Sequence, residues 1–304
     1  MSRLSEQEGI GLLTNGDPIV LGREADAVRQ RLFGDTATFI VDRNINYTNV
    51  CRNECRFCAF FRRQGHKDAY LLSYDEILDK VRETVEAGGT QVMIQGGLHP
   101  DLGLGYYEKM LQLIKKQFPS ITIHSFTATE IQYFAQQEGL SILDTLKRLQ
   151  SAGLDSLPGG GAEILVDEVR QRVSPKKIMT EDWLSLMRTA HSIGMESTAT
   201  MVIGLGETME ERMEHMERIR NLQDETGGFQ TFICFPFLPK NTELEDSIQQ
   251  TSMWDDLRTM AVSRLMLDNF KNIKAYWVML TVPVAQVALG FGANDIDGTV
   301  HKET

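Results

Sequence analysis

Three cysteines, Cys51, Cys55 and Cys58, crowd into eight residues of the segment Asn46-Tyr-Thr-Asn-Val-Cys51-Arg-Asn-Glu-Cys55-Arg-Phe-Cys58-Ala-Phe-Phe-Arg-Arg. Thiolates at Cys-x3-Cys-x2-Cys spacing on one short loop can face a single inorganic cluster. Three ligands leave one iron of a [4Fe–4S] cube without protein, whereas a cluster that only carries electrons normally takes four cysteines. An open iron can bind and reduce a substrate or cosubstrate. The last cysteine, Cys234, lies far away in the apolar run Phe232-Ile-Cys-Phe-Pro-Phe. It could be a fourth ligand, but a buried free cysteine is ordinarily a small hydrophobe, and Cys234 reads as core or pocket wall. Zinc is the competing metal. It would need a fourth ligand, from His66 or Cys234, and the usual pairs of Cys-x-x-Cys are absent. A zinc or iron–sulfur binding protein without catalysis is thus the alternative to an enzyme.

Glycines gather at three other places, in Gln95-Gly-Gly-Leu-His-Pro, Leu157-Pro-Gly-Gly-Gly-Ala-Glu163 and Thr200-Met-Val-Ile-Gly-Leu-Gly-Glu207. Glycine lets backbone approach a ligand closely, and it equally serves tight packing where a strand meets a helix. The middle run lacks the Gly-Lys-Ser/Thr that would make it a phosphate loop. Phe235 and Phe237 read as core aromatics, and the charged stretch Glu207–Arg218 as a solvated helix face.

The elements that must carry these residues alternate along the chain. An amphipathic helix ending at glycine precedes a β-rich run at Glu86-Ala-Gly-Gly, Ser151-Ala-Gly and Ser192-Ile-Gly. Gly88, Gly153 and Gly194 suit helix ends that need a left-handed residue. In the helix Ser73–Gly88, Ile77, Val81 and Val85 fall four apart on one face while Asp79, Arg82 and Glu86 point elsewhere. Strands are expected near 38–45, 91–95, 121–126, 154–158, 197–203, 229–235, 273–279 and 293–297. Eight strands alternating with helices predict a TIM-type (β/α) barrel with its site at the C-terminal strand ends. A doubly wound open sheet is the alternative. Residues 2–34 read as helical and break at Phe33-Gly34-Asp35, so that 1–36 form an N-terminal helical extension and 37–304 the barrel domain. The sequence stops at Thr304, directly after the eighth strand. The last covering helix is therefore missing, either because the barrel is incompletely clad or because the sequence is truncated.

Composition excludes several classes. A net charge of −11 over 304 residues argues against a nucleic-acid partner, which calls for a basic face. No uncharged apolar run is long enough for membrane insertion. The start, Met1-Ser-Arg-Leu-Ser-Glu-Gln-Glu, lacks a signal-peptide pattern, so a cytoplasmic protein with reduced cysteines is expected.

With Phe57 ahead of its last cysteine, the Cys-x3-Cys-x2-Cys segment resembles the signature of the radical S-adenosylmethionine superfamily. The resemblance implies that Cys51, Cys55 and Cys58 hold a [4Fe–4S] cluster whose open iron is chelated by the amino and carboxylate groups of S-adenosyl-L-methionine. Reductive cleavage then yields methionine and a 5′-deoxyadenosyl radical. It also implies a cofactor site made of Phe57 beside the last cysteine, Gly96 and Gly97 at the methionine end, Glu163 at the ribose hydroxyls, and Val202 and Gly204 at the adenine. The last two lie in a run that approximates Gly-x-Ile-x-Gly-x-x-Glu and departs from it at Thr200.

Across nearly the whole chain the sequence is similar to the branch holding two menaquinone enzymes of the futalosine pathway and the deazaflavin (FO) synthase subunits. The phrases that carry this are Asp42-Arg-Asn-Ile-Asn-Tyr-Thr-Asn-Val-Cys51, Gly96-Gly-Leu-His-Pro-Asp-Leu and Asp155-Ser-Leu-Pro-Gly-Gly-Gly-Ala-Glu-Ile-Leu. Asp42–Cys51 and Ile164–Arg170 through Thr198-Ala-Thr-Met look like dehypoxanthine futalosine cyclase. Phe126-Thr-Ala-Thr-Glu-Ile, Leu265–Leu280 and Asp297-Gly-Thr-Val look more like aminofutalosine synthase. The cyclase assignment implies abstraction of the ribose C4′ hydrogen and ring closure onto a benzoate. The synthase assignment implies radical addition to an enolpyruvyl ether with loss of CO2. Both substrates carry a benzoate carboxylate, for which Arg62, His99, Ser125 and Thr127 are candidates. Each also has an ordinary structural use, as loop cap, surface ion pair or backbone hydrogen bond. The resemblance further implies an electron donor such as flavodoxin or ferredoxin.

Overall fold

The computed structural model describes residues 3–299; readings that rest on Met1-Ser2 or on the end at Thr304 lie outside the described residues. In chain order the elements are α1 (Glu6–Asn15), α2 (Pro18–Phe33), β1 (Thr38–Asn46), α3 (Tyr74–Glu86), β2 (Gln91–Gln95), α4 (Leu104–Gln117), β3 (Thr122–Ser125), α5 (Ala128–Glu138), α6 (Ile142–Ala152), α7 (Asp167–Val173) and α8 (Thr180–Ser192). There follow β4 (Ser197–Ile203), α9 (Met209–Thr226), β5 (Phe229–Pro236), α10 (Met253–Met266), β6 (Asn272–Ala275), α11 (Trp277–Leu280), α12 (Val282–Ala288) and β7 (Asp295–Thr299).

Two compact units share these elements. The cysteine unit comprises Ile40–Gly161 and Lys176–Ser197; the second unit comprises the chain up to Phe39, Ala162–Pro175 and Thr198–Asp297. In the cysteine unit the strands run in the order β3-β2-β1. All are parallel, with Asn46 opposite Gln95 and Ile94 opposite Ser125. Ile45, Val92, Ile94 and Ile123 are sealed from solvent, as β-branched residues of a sheet covered by helices should be. In the second unit the order is β7-β6-β5-β4, with β5–β6 and β6–β7 parallel. Here α2 packs on α10 and α1 on α9. No described helix is long and apolar enough to cross a membrane.

Local chemistry explains most boundaries. Four helices begin with a capping box: Ser5 with Glu8, Ser73 with Glu76, Thr127 with Glu130, and Thr208 with Glu211. Gly88, Gly153 and Gly194 take φ of 84°, 118° and 75°, the left-handed backbone expected of them. The stretch read as helical over 2–34 holds two helices, α1 and α2, among its described residues. Asp17 Oδ1 accepts from the backbone N–H groups of Ile19 and Val20 and starts α2 with Pro18 in its first turn.

Four expectations need correcting. Ile77 and Val81 are fully buried, but Val85 is 39% exposed. Steps of four residues drift by about 40° each around a helix of 3.6 residues per turn, so the third member leaves the buried face. The strand expected at 154–158 is reduced to single bridges, Ser156 with His124 and Leu157 with Ser197, leaving seven strands among the described residues. Asp155 turns its carboxylate onto Ile123 N at 2.7 Å, where a neighbouring strand would offer a carbonyl, and Pro158 has no N–H to continue the ladder. The strand placed at 273–279 stops at Ala275, and Trp277–Leu280 is helical. Short apolar runs such as Trp277-Val-Met-Leu do not declare their period. The Glu207–Arg218 stretch is not a solvated face: Glu207, Arg212 and His215 have buried side chains.

Candidate active site

The cysteine loop starts one step beyond β1 and is laced to the turn that follows β2. Tyr47 N donates to Gln95 O, Gly97 N to Thr48 O and Arg52 N to Leu98 O, at 3.2, 3.0 and 3.2 Å. The parallel pairing of β1 and β2 thus runs on into the loops that carry Cys51 and the Gly96-Gly97 turn. A side chain at either glycine would collide. A Cβ on Gly96 would sit 2.7 Å from the Tyr47 ring, and one on Gly97 would sit 2.2 Å from Val50 O and 2.8 Å from Cys51 Cβ.

The rest of the loop folds back on its own stem. Cys51 N donates to Arg62 O and Arg62 N to Asn49 O, at 3.1 and 2.7 Å. The Asn49 side chain bonds Asp68 O and Tyr70 N at 2.8 and 2.9 Å. Cys58 N donates to Cys55 O at 3.0 Å, a turn that brings the second and third cysteines together. None of the three is in a disulfide, and Cys55 is buried while the others are half-buried. Burial raises the Cys58 thiol above the ordinary range, while N–H groups of Phe60 and Phe61 and the Lys177 ammonium favour its thiolate. Such N–H donors at sulfur tune a thiolate-bound cluster. Among the described residues no three metal-binding side chains converge on one point. A cube does not require it, because each thiolate meets its own iron. This donor set, three cysteines outside any disulfide on one braced loop, fits a [4Fe–4S] cluster. Phe57 is half-buried beneath the Lys177 ammonium, 5.2 Å from its ring centre.

Each of the other polar candidates in this unit has a local use. Arg62 Nη1 donates to the carbonyls of Ala59 and Phe61 at 3.1 and 2.8 Å, clamping the chain just after Cys58. His99 is buried, and its Nδ1 accepts from Asp101 N at 3.2 Å. Ser125 Oγ donates to Ile94 O at 2.6 Å. Thr127 caps α5. His66 is exposed beside Asp68.

In the second unit, Glu163 is buried at φ 40°, in a turn braced by Arg170, which donates to the carbonyls of Ala162 and Ile164. Its carboxylate lies 3.7 Å from the Arg170 guanidinium. Val202 N donates to Glu163 O at 3.0 Å, so the ribose and adenine candidates are joined through backbone. Gly204 and Gly206 take φ of 87° and 84°. Behind them Glu207 accepts from Gly204 N and Leu205 N at 2.7 and 2.6 Å. Arg212 holds Glu207 at 2.8 Å and grips Asp255 with two bonds of 3.0 Å. The Thr200 side chain is buried in β4. Cys234 is buried, its thiol raised well above the ordinary range by desolvation, in keeping with a core residue. Phe237 is buried and Phe235 stacks edge-on with Tyr276 at 5.8 Å.

Sequence reasoning missed Glu130 and Tyr47 in the cysteine unit. Glu130 Oε1 accepts from Tyr47 OH at 2.9 Å and Gly96 N at 3.1 Å, while Oε2 accepts from Thr127 N and Oγ1 at 2.8 and 2.9 Å. Thr127-x-x-Glu130 was legible as a capping box; the bonds of Oε1 across the sheet ends were not.

Residues 45–219 match the family model described as the Radical SAM superfamily, and 226–304 that of the CofH/MqnC C-terminal region. The chain is 42% identical over 302 residues to the cyclic dehypoxanthine futalosine synthase of Halalkalibacterium halodurans, covering 99% of this chain and 81% of that protein. It is 41% identical over 304 residues to the aminodeoxyfutalosine synthase of Thermus thermophilus, covering 99% and 82%. The crystal structure of methylornithine synthase superposes with a TM-score of 0.77 over 97% of this chain and 82% of that one, at 19% identity. That is a likeness of fold, the TIM-like parallel β/α arrangement.

Proposed function

The chain belongs to the radical S-adenosylmethionine superfamily, and on that premise we propose that it cyclises dehypoxanthine futalosine to its cyclic product in menaquinone biosynthesis. It is an enzyme of the futalosine pathway that works with a [4Fe–4S] cluster and S-adenosylmethionine. The observation that carries the cyclase reading is the 42% identity to a cyclic dehypoxanthine futalosine synthase over 99% of the chain, together with the CofH/MqnC C-terminal match.

When bound, the cluster supplies the electron that cleaves S-adenosylmethionine to methionine and a 5′-deoxyadenosyl radical. Cys51, Cys55 and Cys58 would hold the cluster. Gly96 and Gly97 serve the methionine end, where bare backbone lets the ligand approach, and Phe57 borders the cofactor beside the last cysteine. Glu163 accepts from the ribose hydroxyls, and Val202 and Gly204 present backbone to the adenine. The substrate is a nucleoside bearing a benzoate. Arg62 is the first choice for its carboxylate, since a guanidinium carries five N–H donors and, among the described residues, only Nη1 is turned onto its own loop. His99, Ser125 and Thr127 line the same unit and shape that end through their backbone contacts. An electron donor such as flavodoxin or ferredoxin reduces the enzyme in the cytoplasm, and residues 1–36 form a helical extension of the 37–304 barrel domain.

The second reading is aminodeoxyfutalosine synthase, favoured by 41% identity over an equal share of the chain. Incubation of the reconstituted enzyme with each pathway substrate decides between them by product mass. The cyclase reading expects turnover of dehypoxanthine futalosine without an added adenosyl group. Adenosylated product from the enolpyruvyl benzoate alone would overturn it in favour of the synthase.

A further inference from the structure

Glu130 is 1% exposed, and among the described residues no cation pairs with it. Burying a lone carboxylate is unfavourable unless every lone pair finds a donor. Four donors surround this one, two per oxygen. Helix capping accounts for Oε2 alone. Glu8 and Glu76, which complete the same box in α1 and α3, are exposed and reach only their own caps. What distinguishes Glu130 is that Oε1 crosses to Tyr47, the first residue past β1, and to Gly96, the first past β2.

These two contacts fix the glycine turn from behind. Gly96 lies against the Tyr47 ring, and Gly97 lies against Val50 O and Cys51 on its other side. Phe126, just before the cap, is held at φ 61°, a strained value for an aromatic residue that persists only where its surroundings over-determine it. Tyr47 is itself wedged edge-on against Tyr107 at 5.6 Å, so the hydroxyl has little freedom.

We infer that Glu130 is a positioning residue: through Tyr47 OH and Gly96 N it sets the Gly96-Gly97 turn against the cysteine loop, and thereby sets the affinity and orientation of the methionine end of S-adenosylmethionine. The inference rests on the reading of Gly96 and Gly97 as the methionine-end turn. It differs from a purely structural role because the same bonds that hold the turn define where its backbone meets the ligand.

Glu130→Gln keeps shape but turns an NH2 group toward one of the two donor pairs. Tyr47 and Thr127 hydroxyls can rotate to accept; a backbone N–H cannot, so either Gly96 N or Thr127 N loses its acceptor. The experiment is a titration of the reduced, cluster-loaded protein with S-adenosylmethionine, followed by the change in the cluster's electron paramagnetic resonance spectrum, with iron content and melting temperature measured alongside. Glu130→Gln is expected to keep its iron, to weaken S-adenosylmethionine binding about tenfold and to alter the bound spectrum. Tyr47→Phe, which leaves Gly96 N its acceptor, is expected to weaken binding about threefold. A lowered melting temperature in Glu130→Gln with affinity and spectrum unchanged both there and in Tyr47→Phe would overturn the inference. If that variant does not fold, an unchanged affinity in Tyr47→Phe overturns it instead. A wild-type protein that gives no spectral response would sink the cofactor reading itself, which separates the two failures.

Discussion

The carbonyl oxygen of Val50 lies 2.2 Å from the point where a β-carbon on Gly97 would stand, so the residue before the first cysteine and the second glycine of the β2 turn occupy one space. Neither can move without the other, since Gly97 N is also bonded to Thr48 O at 3.0 Å. Gly97→Ala should therefore displace the cysteine loop itself. We expect at least a tenfold loss of 5′-deoxyadenosine formation and a reduced iron content. Gly105→Ala, where a Cβ meets nothing within 4 Å, should leave both unchanged.

The cysteines separate by position. Cys51→Ala, Cys55→Ala and Cys58→Ala should each abolish the cluster's visible absorbance after anaerobic reconstitution, because three ligands are already the minimum. Cys234→Ala should retain full absorbance and iron content. Loss of the cluster in Cys234→Ala would restore the fully ligated, electron-carrier alternative.

Buried charge predicts a stability contrast within α9. Arg212, with Glu207 and Asp255 around it, is 4% exposed in its side chain, while Arg218 and Glu214 form a pair at 33% and 40% exposure. Arg212→Met leaves Glu207 buried without its cation and should destabilise by about 3–5 kcal/mol. Arg218→Ala should change stability by about 0.5 kcal/mol or less. Urea unfolding of the two variants checks the difference.

Glu130 also predicts a pH dependence. Burial pushes its carboxyl up to about 6 from 4.5, against the pull of its four donors. Between those values the folded protein holds a proton that the unfolded chain has released, so this group's contribution is most favourable below about 4.5. It declines as pH rises through about 6, by on the order of 2 kcal/mol in all, roughly half of it between pH 5 and 7. The stability of wild type relative to Glu130→Gln, which does not titrate, should fall by about 1 kcal/mol from pH 5 to pH 7. A difference that stays flat would place the group near its ordinary value.

Much of this was legible in local sequence because its causes are local. Three cysteines within eight residues declare a cluster loop; Gly88, Gly153 and Gly194 mark helix ends; alternation of helices with β-rich runs declares a parallel sheet. What escaped depends on contacts far apart in the chain. Glu130 meets Gly96 across 34 residues and Tyr47 across 83. Arg212 reads as one charge among many until Asp255, 43 residues on, closes around it. The strand at 154–158 was lost to a side chain: nothing in Asp155-Ser-Leu-Pro says that the carboxylate will take Ile123 N. Arg62 and the hydroxyls of Ser125 and Thr127 had the right chemistry for a carboxylate, and the fold turned those groups first onto nearby backbone and a neighbouring carboxylate.

The central claim is tested by one anaerobic incubation: reconstituted enzyme, dithionite, S-adenosylmethionine and dehypoxanthine futalosine, with product followed by mass. We predict 5′-deoxyadenosine and methionine in step with a cyclised nucleoside two hydrogens lighter than the substrate, one hydrogen kept on 5′-deoxyadenosine and the other leaving as an electron returned to the cluster and a proton, all dependent on Cys51, Cys55 and Cys58. An intact cluster with neither S-adenosylmethionine cleavage nor a change in substrate mass would contradict it.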